Sequence, residues 1–399
     1  MLLNKSRAYK VMDEYGLDVL IATTEGNVAY VSDYWPQGTF RPQGHQAFCI
    51  LPRDPAVEPT LVAPTGDLAA FVMHKSWIKD FRPYGTFYLE ASERLSGDAK
   101  VIWEADIEMR RKYAISPDPI QALIAVLKEK RLDSARIGLD EVNVPIQSIE
   151  LIKRELPSAR ISYAYDVFRK IRVIKTPEEI ERIRESTRIT EMAIEETFNS
   201  IREGVTEREL ANICNGLIGR NGGVPVLYFV GGGVGSGQID RDPTDYALRK
   251  GDWVMVDIAC TYEHYYSDIA RSVVVGEPSS KQREYYSAIQ RGRQKCLDMI
   301  KPGVAAKDIF NTAVQAIREY GVPHFKRHHI GHSTGIEPYD PPVIEPSSTW
   351  VLEDNMIINI ETPYYELGFG AVQIEDTLLV TSNGFEFLSK LPQDLRCFG

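Results

Sequence analysis

The stretch Val254–Arg271, VMVDIACTYEHYYSDIAR, is two β-rich runs joined by a polar turn, and each run carries one carboxylate, Asp257 and Asp268. The two acids are placed symmetrically about the Tyr262–Glu263 pair. Folded as an antiparallel hairpin on that centre, the runs set Asp257 directly opposite Asp268. Like charges opposed across a ladder destabilise a sheet, so a cation is expected between them, and a bound metal is the natural candidate. The device recurs near the C-terminus. Ile357–Glu361 and Ala371–Val380 flank a glycine-containing loop, Glu366–Gly370, with Glu361 and Glu375 symmetric about Gly368. Both pairs lie among apolar runs (VMVDIA, MIINIE, AVQIE), and carboxylates in such surroundings need cations or hydrogen bonds.

The rest of the chain bounds what such a centre can serve. Its 399 residues suit roughly two to three domains, and 43% hydrophobic with 26% charged residues is the balance of an ordinary globular protein. A formal charge of −10 argues against nucleic acid or an anionic membrane as partner, since both need basic surfaces. No apolar run approaches the ~18 residues of a membrane span, and MLLNKSRAYKVMDEYG lacks the apolar core of a signal peptide. Five dispersed cysteines (Cys49, Cys214, Cys260, Cys296, Cys397) do not suit disulfides or a thiolate zinc site. The expectation is a cytoplasmic enzyme.

Taken in order, residues 4–15 form a short helix. LDVLIAT (17–23), NVAYVS (27–32), AFCIL (47–51), TLVAP (60–64) and IGL (137–139) read as strands, and 117–130 and 145–155 as helices. This alternation predicts an N-terminal α/β domain over 1–174 with a mixed or parallel sheet. Its only histidines, His45 and His74, are isolated and read as structural. A second domain, 175–399, opens on Thr176-Pro177-Glu178-Glu179, a capping box with proline at the first helical position. That helix runs to about Glu203, and Thr206-Glu207-Arg208-Glu209 starts another. Two more, near 280–300 and 306–320, interleave with strand hairpins in an α+β pattern. The run GGGVGSG (231–237) is followed by QIDRDP and no helix, so it reads as a loop of close backbone approach, not a phosphate cradle.

Four of the seven histidines lie within His324–His332, in HFKRHHIGHSTGIEPYD. Gly331 and Gly335 bracket His332-Ser333-Thr334, which brings them close to a ligand, whereas Lys326 and Arg327 read as a solvated basic loop. One imidazole with four carboxylates is a hard, oxygen-rich set. It suits two Mn²⁺ ions, or Co²⁺, Fe²⁺ or Zn²⁺, better than a cysteine-type zinc. Paired ions generate a nucleophile near neutral pH and polarise the bond attacked.

Asp257, Asp268, His332, Glu361 and Glu375, in that order, resemble the five-ligand dinuclear site of the pita-bread metallopeptidases, the family of Xaa-Pro dipeptidase, aminopeptidase P and creatinase-like proteins. DIACTYEHYYSDIAR, HHIGHSTGIEP, LEDNMIINIETP and VQIEDTLLVT are similar to that family's segments around its ligands, and LDVLIATTEGNVAYVSDYW to the start of its N-terminal domain. The resemblance spans essentially the whole chain. It implies a C–N bond hydrolase, a homodimer, and a short peptide or small-molecule amide as substrate. It makes Glu361 the proton shuttle and puts His328, four residues before the metal histidine, at the substrate.

Three positions depart from the peptidases. Tyr339 stands where a histidine follows the metal histidine by seven residues, Gln373 replaces an arginine two residues before the last glutamate, and Asp240 falls where a further histidine is expected. Lost imidazoles remove donors worth ~2.7–4 kcal/mol each at an oxyanion. Tyr339 still donates through its hydroxyl, and Asp240 is either a contact for a substrate amine or a turn residue. These changes keep three alternatives open: an amide hydrolase like creatinase or ectoine hydrolase, a lyase of the dimethylsulfoniopropionate type, and a non-catalytic scaffold.

Overall fold

The computed structural model describes every residue except 37–46, 75 and 240, with backbone alone at 227 and 228. The chain divides into two compact units, Met1–Arg172 and Val173–Gly399.

The first unit is built on one mixed sheet. Its strands are β1 (Val19–Ala22), β2 (Phe48–Pro52), β3 (Thr60–Pro64), β4 (Asp80–Tyr84), β5 (Arg136–Leu139) and β6 (Arg160–Tyr163), in the order β4-β3-β2-β1-β5-β6. β2 runs antiparallel to β1 and β3, while β5 and β6 run parallel to β1. Helices Pro119–Glu129 and Ile146–Glu155 pack their apolar faces over it around Leu123, Leu127, Ile149 and Ile152. The segment expected as a second strand, 27–32, is instead part of a helix, Glu25–Ser32. It is buried on every side, so its apolar run carries no helical period. Thr24 caps its start, its Oγ1 accepting from the Asn27 amide, and buried Asp140 holds this cap from far away by accepting from the Thr23 and Thr24 amides and from Asn27 Nδ2. His74 is exposed, and His45 lies outside the described residues.

Among the described residues the second unit has two five-stranded sheets, antiparallel except at one parallel edge strand, and a two-stranded hairpin. One contains β7 (Val224–Gly232), β8 (Trp253–Tyr262), β9 (Tyr265–Tyr266) and β10 (Ile269–Val275). The other contains β11 (Gly331–Ser333), β12 (Asp340–Val343) and β13 (Ile357–Glu361). A short hairpin follows, β14 (Tyr364–Glu366) with β15 (Gly370–Val372), then β16 (Glu375–Thr381) and β17 (Gly384–Phe387), both in the second sheet. Strand β18 (Cys397–Phe398) closes the first sheet, parallel to β10.

Helices Pro177–Asn199 and Glu207–Arg220 both begin with capping boxes, on Thr176/Glu179 and Thr206/Glu209, and bury Ile189, Ile194, Leu210 and Cys214 against the first sheet. Ser280–Leu297 and Ala306–Tyr320 cover the second sheet with Ile289, Ile309, Ala313 and Ile317. The sheets meet where Arg271 bridges Ile374 and the Ser272 amide donates to Gln373 O. That seam brings the two acidic hairpins together.

Candidate metal centre

In the first hairpin the ladder is displaced from the expected centre. Asp257 pairs with Ala270, Ile258 with Ile269, and Tyr262 with Tyr265, so the turn is Glu263-His264. Both turn residues have positive φ, 44° and 69°, the geometry of the tight hairpin turn whose twist matches its strands. Asp257 and Asp268 are therefore diagonal neighbours and not direct opposites. The displacement is an even number of residues, so both side chains keep the same face; an odd slip would have sent one to the far side. Asp268 follows an irregular step after β9, and its carbonyl accepts from Thr377 Oγ1 of β16 at 3.1 Å.

The second hairpin has the expected register, with Glu361 directly opposite Glu375. Alternation sends the next residue, Asp376, to the opposite face. There it is buried between Arg271 and Arg293, with Arg271 Nη2 2.5 Å from Asp376 Oδ1. Arg271 also donates to the Glu375 carbonyl, so the backbone under this acid is held from behind.

His332 enters from β11, between β12 and β13, at a bulge that separates it from Ser333. Gly331 makes this approach feasible: its φ is +150°, and a Cβ there would lie 2.1 Å from Asn359 O. The imidazole Nδ1 is 3.0 Å from the Ser333 carbonyl. A carbonyl only accepts, so Nδ1 carries the proton and Nε2 presents its lone pair, 3.5 Å from Asp268 Oδ2. Burial pulls the His332 imidazole down to about 4, which keeps it neutral.

Asp268, His332 and Glu375 each offer a ligand atom, and these atoms lie within 4.8 Å of one another in a buried site. Burial, then the charges of Asp257 and Glu361, hold the Asp268 carboxyl far above its ordinary range. Burial and then Asp257 push Glu361 up to about 8. Glu375 is raised by burial, Asp268, Glu361 and Asp257. The four acids are thus mutually repelling neighbours. One oxygen on each of Asp268 and Glu375 is buried and has no hydrogen-bond partner among the described residues, a cost that a cation removes. The donor set fits hard divalent ions.

The remaining candidates surround this cluster. Gln373 Nε2 donates to Glu361 Oε2 at 3.3 Å and to Glu375 Oε2 at 3.1 Å, tying the two acids together. Tyr339 stacks on His332, rings 3.7 Å apart at 19°, yet is 48% exposed, so it covers the imidazole from the solvent side. His328 is exposed and lies edge-on to His329 at 4.3 Å. Asp240 lies outside the described residues. Sequence reading passed over three residues here. His329 is buried with Nδ1 3.2 Å from Glu361 Oε1. Tyr365 donates to Gln373 Oε1 at 3.0 Å. Arg327, expected in a solvated loop, lies over the Tyr365 ring with its Nε buried. Only the doubled histidine hinted at the first. The glycine run forms a 3₁₀ turn, Gly233–Gly237, against the β14–β15 hairpin, where Ser236 Oγ accepts from the Ala371 amide.

The family model for metallopeptidase family M24 matches residues 181–382. The chain belongs to this family. A creatinase/prolidase N-terminal domain model matches residues 5–174. This M24 chain is 30% identical to a Xaa-Pro dipeptidase of Pyrococcus horikoshii over 310 residues, 75% of this chain and 87% of that protein. It is also 30% identical to a Xaa-Pro dipeptidase of Pyrococcus furiosus, with 79% and 93% covered. Among solved structures, the prolidase of Pyrococcus horikoshii superposes with a TM-score of 0.78 at 26% identity, covering 98% of this chain and 99% of that one. An X-Pro aminopeptidase from Thermotoga maritima shares the fold, with a TM-score of 0.79 at 22% identity and 97% and 99% covered.

The M24 chain therefore carries a pita-bread domain behind a creatinase-like N-terminal domain, and it is a metal-dependent peptidase. The comparisons favour this over the amide-hydrolase, lyase and scaffold alternatives. Among the described residues no helix is long and apolar enough to cross a membrane.

Proposed function

We propose that residues 175–399 form a dinuclear catalytic domain that hydrolyses the C–N bond of short Xaa-Pro peptides. Asp257, Asp268, His332, Glu361 and Glu375 would hold two divalent ions, Mn²⁺ first among the candidates. The observation carrying this is the buried meeting of Asp268, Glu375 and the neutral His332 imidazole, with one oxygen of each acid left unpartnered among the described residues. The ions supply Lewis acidity and an acidified water. The protein does the rest. Gln373 fixes the facing oxygens of Glu361 and Glu375, and the other Glu361 oxygen, Oε1, beside His329 Nδ1, would take a proton from water and return it to the leaving amine. The Tyr339 hydroxyl, over His332, donates to the carbonyl oxygen of the scissile bond. His328 at the exposed mouth orients the substrate, and Asp240 holds its amine.

A homodimer is part of the proposal, as the resemblance implies, and so is a reducing, cytoplasmic setting, which four buried free cysteines support. Purified protein should contain about two divalent ions per chain, and Asp257→Ala should lose both metal and Xaa-Pro turnover. Full activity in protein stripped of metal, confirmed by elemental analysis, overturns the proposal.

A further inference from the structure

His329 meets the centre but has no part in the five-ligand set proposed above. It is 8% exposed, and its Nδ1 lies 3.2 Å from Glu361 Oε1. The contact is not aligned as a hydrogen bond, for Nδ1 is buried without a hydrogen-bond partner among the described residues. A ring nitrogen left in that state is costly. Alternation along a strand would send residues 329 and 332 to opposite faces. His329 escapes that rule because it precedes β11, which begins at Gly331. Its ring is 6.0 Å from that of His332, and Tyr339 lies against both, stacked on His332 and edge-on to His329 at 6.2 Å.

Two donors each about 2.1 Å from one divalent ion are about 3.0 to 3.4 Å apart at octahedral or tetrahedral angles. Nδ1 and Glu361 Oε1 have that spacing and lack the alignment of a hydrogen bond. Imidazole nitrogen is the commonest metal ligand. Asp268, His332 and Glu375 already converge within 4.8 Å, so His329 adds its nitrogen on the Glu361 side of that cluster.

We propose that His329 is a sixth metal ligand, a second imidazole on the ion beside Glu361, and that it biases the centre toward nitrogen-seeking ions such as Co²⁺ and Zn²⁺. This rests on the metallopeptidase function proposed above. A donor next to Oε1 also lets that oxygen leave the ion for the proton it carries. Of the candidate ions Mn²⁺ gains least from an added nitrogen.

The test titrates metal-stripped wild type, His329→Ala and His329→Asn with Zn²⁺ and Mn²⁺ by calorimetry; the asparagine oxygen takes the place of Nδ1. X-ray absorption at the zinc edge counts bound imidazoles, and thermal melts of the stripped variants check that each folds. Zinc-loaded wild type should show two imidazoles per chain and His329→Ala one. Zn²⁺ affinity should fall at least ~10- to 100-fold in His329→Ala, the loss that follows when even a ligand's supporting partner is removed. Mn²⁺ affinity should fall less, and His329→Asn should restore Mn²⁺ binding more fully than Zn²⁺ binding. One imidazole per chain in wild type, equal losses for both ions, or affinities that rise without the ring each overturn the ligand role. Should the variants fail to fold, the wild-type imidazole count decides alone. Leucyl-proline turnover is read in parallel. Two imidazoles without turnover leave the sixth ligand standing and remove the Xaa-Pro proposal, turnover with one imidazole does the reverse, and protein that binds no ion overturns both.

Discussion

Glu179 shows how one residue can couple the fold to pH away from the metal centre. It is the third residue of its helix, where its Oε2 accepts from the Thr176 amide and its Oε1 from the Tyr265 hydroxyl at 3.2 Å. Burial dominates and raises its carboxyl to about 7, against the partial relief from Lys175. The folded protein therefore holds a proton that the unfolded chain releases above about 4.5. Stability contributed by this group is intact below that value and is lost as pH rises to about 7. The full loss is about 3 kcal/mol. Glu179→Gln keeps both acceptor roles in part and has no proton to release. The difference in unfolding free energy between variant and wild type should grow in the variant's favour from pH 4.5 to 7 in urea titrations. A difference that stays flat over that range would mean Glu179 is ionised in the fold.

At the scale of the element, the three strands around His332 depend on a missing side chain. β11 lies between β12 and β13, and Gly331 lets its backbone pass under Asn359 O. Gly331→Ala puts a Cβ into that carbonyl, and strand β13 would have to yield, taking Glu361 with it. The expected cost is about 1–3 kcal/mol, with metal affinity falling more than stability because His332 and Glu361 move apart. Thermal melts of the stripped protein and metal titration of the refolded variant separate the two effects. Unchanged metal binding would show that β11 tolerates the methyl group. The β8–β10 hairpin has a different sensitivity: only an odd change in the length of its turn should divide Asp257 from Asp268.

For the whole molecule, the acidic centre makes stability depend on what is bound. Without metal, protons are the available cations for Asp268, Glu361 and Glu375, whose carboxyls all rise, Glu361 to about 8. Protons and metal therefore compete. Binding at a hundred times the dissociation constant adds about 2.7 kcal/mol, so chelation should lower Tm by about 5–10 °C. The gap between loaded and stripped protein should widen as pH rises toward 8, where the stripped centre loses its protons. Differential scanning calorimetry with and without chelator, at two pH values, reads this directly; a Tm indifferent to metal removal would leave the acids without a cation to share.

How much of this was legible in the chain follows from the range of each interaction. Capping boxes at Thr176 and Thr206, the Glu361–Glu375 register and the order of the acidic and histidine segments are set by neighbours within a few residues, and sequence by itself determined them. The helix at Glu25–Ser32 was not legible from its pattern, because 27–32 is buried on every side and carries no helical period; its Thr24 cap is local, and Asp140, a hundred and more positions away, holds that cap in place. Nor was the hairpin's true centre, since Glu263 and His264 are not residues that announce positive φ. Arg327 looked solvated for the same reason: Tyr365 covers it from another strand, and only packing decides which face of a loop meets water. Sequence fixed which groups could bind an ion, through local pattern. Tertiary structure decided which of them meet, because two sheets must close along Arg271 and Ile374 before Asp268 of one and His332 and Glu375 of the other share a buried site.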